Sequence, residues 1–407
     1  MSTATKTFEY SVRDRKGKLV NGKLDAPTEA ALAQKLRGMG YAPISIREAN
    51  AGMNREISLP FGGGVGLKDL AVMSRQFATM INSGLSLLRA LAILSEQTEN
   101  AKLAKTLGEV RGSVEAGQSL STAMAHHPEV FPPLLVNMTR AGEVGGFLDS
   151  VLLQIAANYE AEVKLRSKIK SAMTYPTVVF AIAVIAVIGM LLFIVPIFAK
   201  MFKDLGGELP APTKVLVFMS SALRVSAPVI LVCGIIWAVV WSRIKDQERV
   251  RRVVDPMKLR VPVFGPLFQK VAISRFTRNL GTMLQSGVPI LQSLEIVGDT
   301  SGNIVIRDAS KAIEENVRRG ESLTAPLTQH KVFPPMVVQM LAVGEDTGAM
   351  DTMLHKISDF YDQEVEATAE ALTSLIEPLM IAVLGAIIGG MIIALYMPIF
   401  SVFNLIK

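Results

Sequence analysis

The stretch RAGEVGGFLD, residues 140–149, returns at residues 342–351 as AVGEDTGAMD. Both keep a Gly-Glu-x-x-Gly core, spanning Gly142, Glu143 and Gly146 in one and Gly344, Glu345 and Gly348 in the other. Each is followed by an aspartate, Asp149 or Asp351. Upstream the likeness continues at an offset of 203: Arg75 meets Arg278, Ser83-Gly84 meets Ser286-Gly287, Gly117 meets Gly320, and Ser119-Leu120 meets Ser322-Leu323. One residue drops out between AHHPEVFPP and TQHKVFPP, and the offset becomes 202. Then Phe131-Pro132-Pro133 meets Phe333-Pro334-Pro335, Tyr159 meets Tyr361, Pro176 meets Pro378, and Pro196-Ile197-Phe198 meets Pro398-Ile399-Phe400. The period far exceeds the roughly 20–50 residues of a solenoid unit. The chain reads as a tandem duplication of one domain together with an apolar exit segment.

Those segments set the class. Half of the 407 residues are hydrophobic and 19% are charged, against about a quarter in soluble domains, which favours a membrane protein. Residues 174–199 and 376–403 are long enough to cross a hydrocarbon core of ~30 Å as helices. A third stretch, 215–242, carries Arg224, which near a helix end can snorkel to the headgroups. Lys164, Arg166, Lys168 and Lys170 precede the first span, and Arg243, Lys245, Arg249, Arg251 and Arg252 follow the second. The positive-inside rule places both flanks in the cytoplasm and the loop 200–214 outside. The amino terminus, MSTATKTFEY, lacks an apolar leader and is expected in the cytoplasm, leaving residues 404–407 outside. The acidic run Asp359, Asp362, Glu364, Glu366, Glu370 and Glu377 counts little for topology.

Each copy, 68–173 and 243–375, reads as a cytoplasmic helical bundle. Apolar residues recur at three- and four-residue spacing and break at Ser-Gly. Gly117 and Gly320 suit helix ends, the serines two residues on suit caps, and Phe-Pro-Pro forces an extended approach to the next helix. The Gly-Glu-x-x-Gly cluster has two readings. A tight interhelical turn explains the glycines, with Asp149 or Asp351 in the first turn of the next helix. A glutamate kept twice also suits a docking or interface residue. Arg75 and Arg278 join these as candidate partner or interface residues. Pro176 and Pro196 lie 20 residues apart, as do Pro378 and Pro398, about 30 Å of helix. They mark where each helix meets the membrane borders, as tolerated kinks or as hinges. Gly385 and Gly389 form a GxxxG suited to helix packing.

Residues 1–50 differ. FEYSVRDRKGKLVNGKL alternates around an RKGK turn as a hairpin would, PTEAALAQKLRGMG reads as a helix capped by Thr28, and YAPISIRE as a third strand. Residues 51–67 are glycine-rich and read as a tether. The overall expectation is a mainly α, polytopic membrane protein with two tandem helical bundles, three transmembrane helices and a small α/β amino-terminal unit. GGGVGLKD does not meet the phosphate-loop pattern GxxxxGK[ST]. His126, His127, His330 and His355 lack zinc spacing, and Cys233 is the single cysteine, in an apolar run where it fills space. No catalytic, cofactor or metal site is expected, nor nucleic acid. A transporter or channel is the alternative class, but the first and third spans hold no charged residue at mid-membrane, where carriers place theirs.

Together the duplicated bundle, the paired turns, TYPTVVF, VPIFAKMF, GGELPAPTK and the amino-terminal FEYSVRDRKGKLVNGKLDA resemble the platform-protein family of type IV pilus and type II secretion machines, the PilC/GspF family. The likeness covers essentially the whole chain and is mildly closer to the pilus branch. It implies a multi-pass protein of the bacterial cytoplasmic membrane that performs no reaction. The implied partners are a hexameric secretion ATPase, pilin or pseudopilin subunits, other inner-membrane assembly proteins, the lipid bilayer, and further copies of itself.

Overall fold

The computed structural model describes residues 6–13, 19–26, 29–38, 42–48, 64–204, 209–245 and 247–403. The RKGK turn, Thr28, most of the glycine-rich tether, part of the outer loop and the last four residues lie outside the described residues. The chain forms two compact units, residues 1–64 and 65–407.

In the first unit, β1 (Lys6–Arg13) pairs antiparallel with both β2 (Leu19–Ala26) and β3 (Ala42–Glu48), giving the order β2-β1-β3. Helix α1 (Glu29–Gly38) links β2 to β3. Pro43 sits on the edge strand beside the register shift opposite Ser11 and Val12, a position that tolerates a missing N–H.

The second unit repeats its order of helices. Copy 1 comprises α2 (Leu67–Asn82), α3 (Leu87–Gln97), α4 (Ala101–Glu115), α5 (Leu120–Ala125), α6 (Pro133–Gly145) and α7 (Leu148–Gly189). A π-helical turn, Met190–Ile194, carries α7 into α8 (Val195–Asp204). Then come α9 (Ala211–Ile244) and α10 (Glu248–Arg260). Copy 2 comprises α11 (Gly265–Gln285), α12 (Ile290–Thr300), α13 (Ile304–Arg318), α14 (Thr324–Leu327), α15 (Pro335–Thr347) and α16 (Met350–Phe403). The helix boundaries follow the repeated punctuation. Gly84 and Gly287 reverse the chain with φ of +83° and +73°, Gly117 and Gly320 with +94° and +76°. Only glycine adopts such angles without a steric cost. Pro132 and Pro334 cap α6 and α15, with a second proline opening each helix, where its missing N–H would have no partner anyway.

The two bundles pack as one body. A single apolar core runs from Phe77, Leu91, Phe131 and Ile155 of copy 1 to Phe276, Leu294, Phe333 and Ile357 of copy 2. Helix α7 lies against α11 and α16: Asn158 Nδ2 donates to Asn279 Oδ1 at 3.1 Å and Thr282 Oγ1 at 3.2 Å. Arg275 pairs with Glu162 at 3.3 Å and Lys168 pairs with Glu366. Nearer the membrane, Leu165 is buried with Val365, Ala369 and Leu372.

Three helices are long and apolar enough to cross a membrane, within 148–202, 211–244 and 350–398. Their shared core is small and includes Leu191, Val195, Leu216, Met391 and Leu395. Cys233 is exposed on α9 instead of filling space, as expected of a helix with lipid around much of its circumference.

Candidate functional site: the paired turns and the proline borders

The Gly-Glu-x-x-Gly cluster joins α6 to α7 and α15 to α16, and each conserved position of the repeat has its own task. Gly142 is where the two helices touch: a Cβ there would lie 3.1 Å from Leu148 Cα and from Val151 Cβ and Cγ2. At Gly344 it would meet Met353 Cγ at 3.1 Å and Met350 Cα at 3.2 Å. Gly146 and Gly348 end their helices in the left-handed region, φ +74° and +69°. Asp149 and Asp351 occupy the first turns of α7 and α16, favourable against the helix dipole.

The glutamates point inward. Glu143 accepts from the backbone N–H groups of Leu120 and Ser121, the latter at 2.9 Å. Glu345 accepts from Leu323 N at 2.7 Å, Ser322 Oγ at 2.8 Å and Thr324 Oγ1 at 3.2 Å. Each carboxylate thus satisfies amides at the start of the short helix preceding the turn, donors that helix formation leaves unpaired. For Glu345 burial pushes the carboxyl upward, but the bonds from Leu323, Ser322 and Thr324 outweigh it and hold it below its ordinary value. The glycines make the turn, and the glutamate ties that turn to the short helix back along the chain, α5 in copy 1 and α14 in copy 2.

Arg75 and Arg278 each span from the first helix of a copy to the last. Arg75 Nε and Nη2 donate to Glu160 Oε1 and Oε2, both at 2.6 Å, and this pairing holds Glu160 below the usual carboxylate range. Arg278 donates to Asp362. Glu160 and Asp362 are themselves equivalent at the offset of 202. The repeated arginine was visible in the sequence; its acid partner was hidden because the copies differ there in residue type.

Three of the four border prolines lie inside unbroken helices, Pro176 in α7 and Pro378 and Pro398 in α16, and Pro196 follows the π turn at the start of α8. A proline has no N–H for the carbonyl four residues before it, and in lipid no water can replace it. Neighbouring helices supply the donor. Ala172 O, behind Pro176, accepts from Thr373 Oγ1 at 3.2 Å. Leu192 O, behind Pro196, accepts from Arg224 Nη2 at 3.0 Å, and Leu191 O in the adjoining π turn accepts from Ser220 Oγ at 2.6 Å. Ala394 O, behind Pro398, accepts from Thr213 Oγ1 at 2.5 Å. Arg224 therefore bonds a neighbouring helix backbone, where the sequence suggested only headgroups. Helix α9 acts as a splint for both exit helices. Gly385 and Gly389 show nothing within 4 Å of an added Cβ, so among the described residues no helix makes close contact at this GxxxG. Among the described residues no group of three His, Cys, Asp or Glu side chains could hold a metal ion.

The duplicated geometry has a counterpart among known proteins. The family described as "Type II secretion system (T2SS), protein F" matches residues 73–196 and again 276–398, and its N-terminal domain matches residues 2–47. The chain belongs to this family. The protein F matches begin at equivalent points of α2 and α11 and end on the border prolines Pro196 and Pro398. Relatives cover almost the full length. The chain is 43% identical to the type IV pilus assembly protein PilC of Myxococcus xanthus over 99% of this chain and 97% of that one. It is 43% identical to the PilC of Thermus thermophilus over 97% and 98%. It is 33% identical to the type II secretion system protein F of Vibrio cholerae over 98% and 99%.

Proposed function

We propose that the chain is the inner-membrane platform of a type IV pilus assembly machine, coupling a cytoplasmic hexameric ATPase to the insertion or extraction of pilin subunits. The continuity of α7 and α16 carries this reading. Each begins at a Gly-Glu-x-x-Gly turn, runs along the shared core and enters its apolar stretch without a break. A push on the head is delivered to the spans by a rigid body. The 43% identity to pilus assembly proteins supports the pilus assignment.

In this reading both bundles and the amino terminus lie in the cytoplasm, as the basic flanks favour, and the carboxyl terminus lies outside. The protein is a scaffold and the ATPase supplies the energy. Gly142, Glu143, Gly146 and their copies serve docking indirectly, by fixing the bundle that a partner grips. Arg75 and Arg278 serve it in the same way, by clamping the first helix of each bundle to the last. The surface left free beside the first turn includes Val144, 86% exposed. A platform role in type II secretion is the second reading, favoured by the likeness to the Vibrio cholerae protein.

The test is deletion and capture. Removing the gene should abolish surface pili while leaving prepilin levels intact, and the full chain should co-purify with its ATPase. Loss of a secreted protein with pili unaffected selects the secretion reading. Solute flux through the reconstituted chain in the absence of any ATPase overturns the platform assignment.

A further inference from the structure

The internal contact between the copies is a template. Copy 2 has a groove between α11 and α16 that is filled by α7 of copy 1 through Asn158, Glu162, Leu165 and Lys168. The equivalent groove of copy 1, between α2 and α7, is open. It encloses about 520 Å³ and is lined by Val72, Arg75, Gln76, Val163, Lys164 and Lys168 among others. Val72 is 49% exposed. Conversely, the face of α16 equivalent to the one α7 uses is covered only at Glu364, which pairs with Lys270 of α11; Phe360, at the position of buried Asn158, is 41% exposed. The two copies therefore meet through different surfaces. Such a head-to-tail contact leaves one groove and one face unused.

We propose that a second copy of this chain fills the α2/α7 groove with the outward face of its α16, extending the copy 1 to copy 2 contact from chain to chain. Mapping the internal contact by the repeat offsets gives the partners. The pair Lys168–Glu366 becomes Glu370 of the incoming copy against Lys164 of the receiving one, opposite charges again with the signs exchanged. Both are exposed and take no part in an ion pair among the described residues. Leu165 becomes Ala367, laid over Val163 and Ser167.

The backbone gives an independent indication. Three of the four border prolines have their stranded carbonyl met by a side chain of the same chain. The fourth, Pro378, strands Ser374 O, to which no side chain of the described residues donates. The mapped equivalent of Thr373 on Ala172 O is Ser171 on Ser374 O: the receiving copy supplies the hydroxyl. Because the contacts of α7 and α16 advance in the same direction along both helices, the relating operation is a rotation about an axis along them. Repeating it within one membrane generates a ring where the rotation closes.

This interface needs no other protein, so its test is separate from that of the platform role. In full chains carrying Cys233→Ser, Lys164→Cys and Glu370→Cys are introduced singly and co-expressed in membranes with distinguishable tags. Oxidation should give a cross-linked dimer containing both tags, at least tenfold above either variant alone. Ser171→Cys with Ser374→Cys should do the same. Glu370→Lys should lower the oligomeric fraction several-fold, and adding Lys164→Glu to the same chain should restore it. Absence of both mixed cross-links, or a dimer formed by Phe360→Cys alone as a two-fold contact requires, overturns the proposal.

Discussion

Replacing Glu143 by alanine removes the common acceptor of two amides at the start of α5. Leu120 is fully buried and Ser121 is 2% exposed, so water cannot readily take the carboxylate's place. Hydrogen bonds to a charged acceptor contribute about 1.5–3 kcal/mol each, and loss of a helix cap costs about 0.5–2 kcal/mol. The bonds share one acceptor and their energies are not additive, so the expected cost is about 2–3 kcal/mol, less than their sum. It falls on the local opening of α5, where each 1.4 kcal/mol is a factor of ten. Amide exchange of Leu120 and Ser121 should accelerate roughly 30- to 150-fold, while α14 of the other copy, still held by Glu345, stays unchanged. Glu143→Gln, which keeps an oxygen acceptor, should show about half the free-energy effect. The assay is hydrogen–deuterium exchange on the full chain in lipid nanodiscs. If α5 exchanges at its original rate in Glu143→Ala while ATPase capture is lost, the carboxylate serves a partner and the capping argument is wrong.

Glu345 titrates below its ordinary value in the folded chain, so its contribution is fully present above pH 4.5 and is lost as pH falls through the lowered folded value. Protection of α14 should accordingly hold at neutral pH and decay below about 4.5, and Glu345→Gln should remove that dependence. Gly344→Ala forces a methyl to within 3.1–3.2 Å of Met350 and Met353 and should lower stability by about 1–3 kcal/mol, read as an earlier thermal transition in detergent. Gly385→Ala meets nothing within 4 Å and should be neutral or stabilising by up to about 1 kcal/mol within one chain. Thr213→Val keeps the side-chain shape but strands Ala394 O, which should cost about 1–3 kcal/mol in the same melting assay.

The duplication made much of this fold readable, because a feature seen twice at one offset is unlike a chance match. The helix-ending glycines, the Phe-Pro-Pro starts and the apolar spans follow from local rules, and local rules act within a few residues. The contacts that unify the structure act over longer separations. Glu143 meets amides 22 and 23 residues back, and nothing in the spacing of a lone glutamate announces an acceptor for a distant helix start. Asn158, Asn279 and Thr282 are polar residues buried at the seam between the copies; by composition they belonged to a solvated face. That is why the sequence suggested two bundles where the core is continuous. The donors behind the border prolines were hidden for a related reason. Thr213, Ser220 and Arg224 look like minor blemishes in a hydrophobic stretch until the carbonyls opposite them are known to lack their own N–H.

Helix α16 runs 54 residues without a break, about 80 Å at 1.5 Å per residue. At that radius a tilt of about 5° sweeps the distal tip through roughly 7 Å, more than one helical turn. A small angular stroke applied near Met350 thus becomes, at Phe403, a step as large as the pitch by which one helix slides past another.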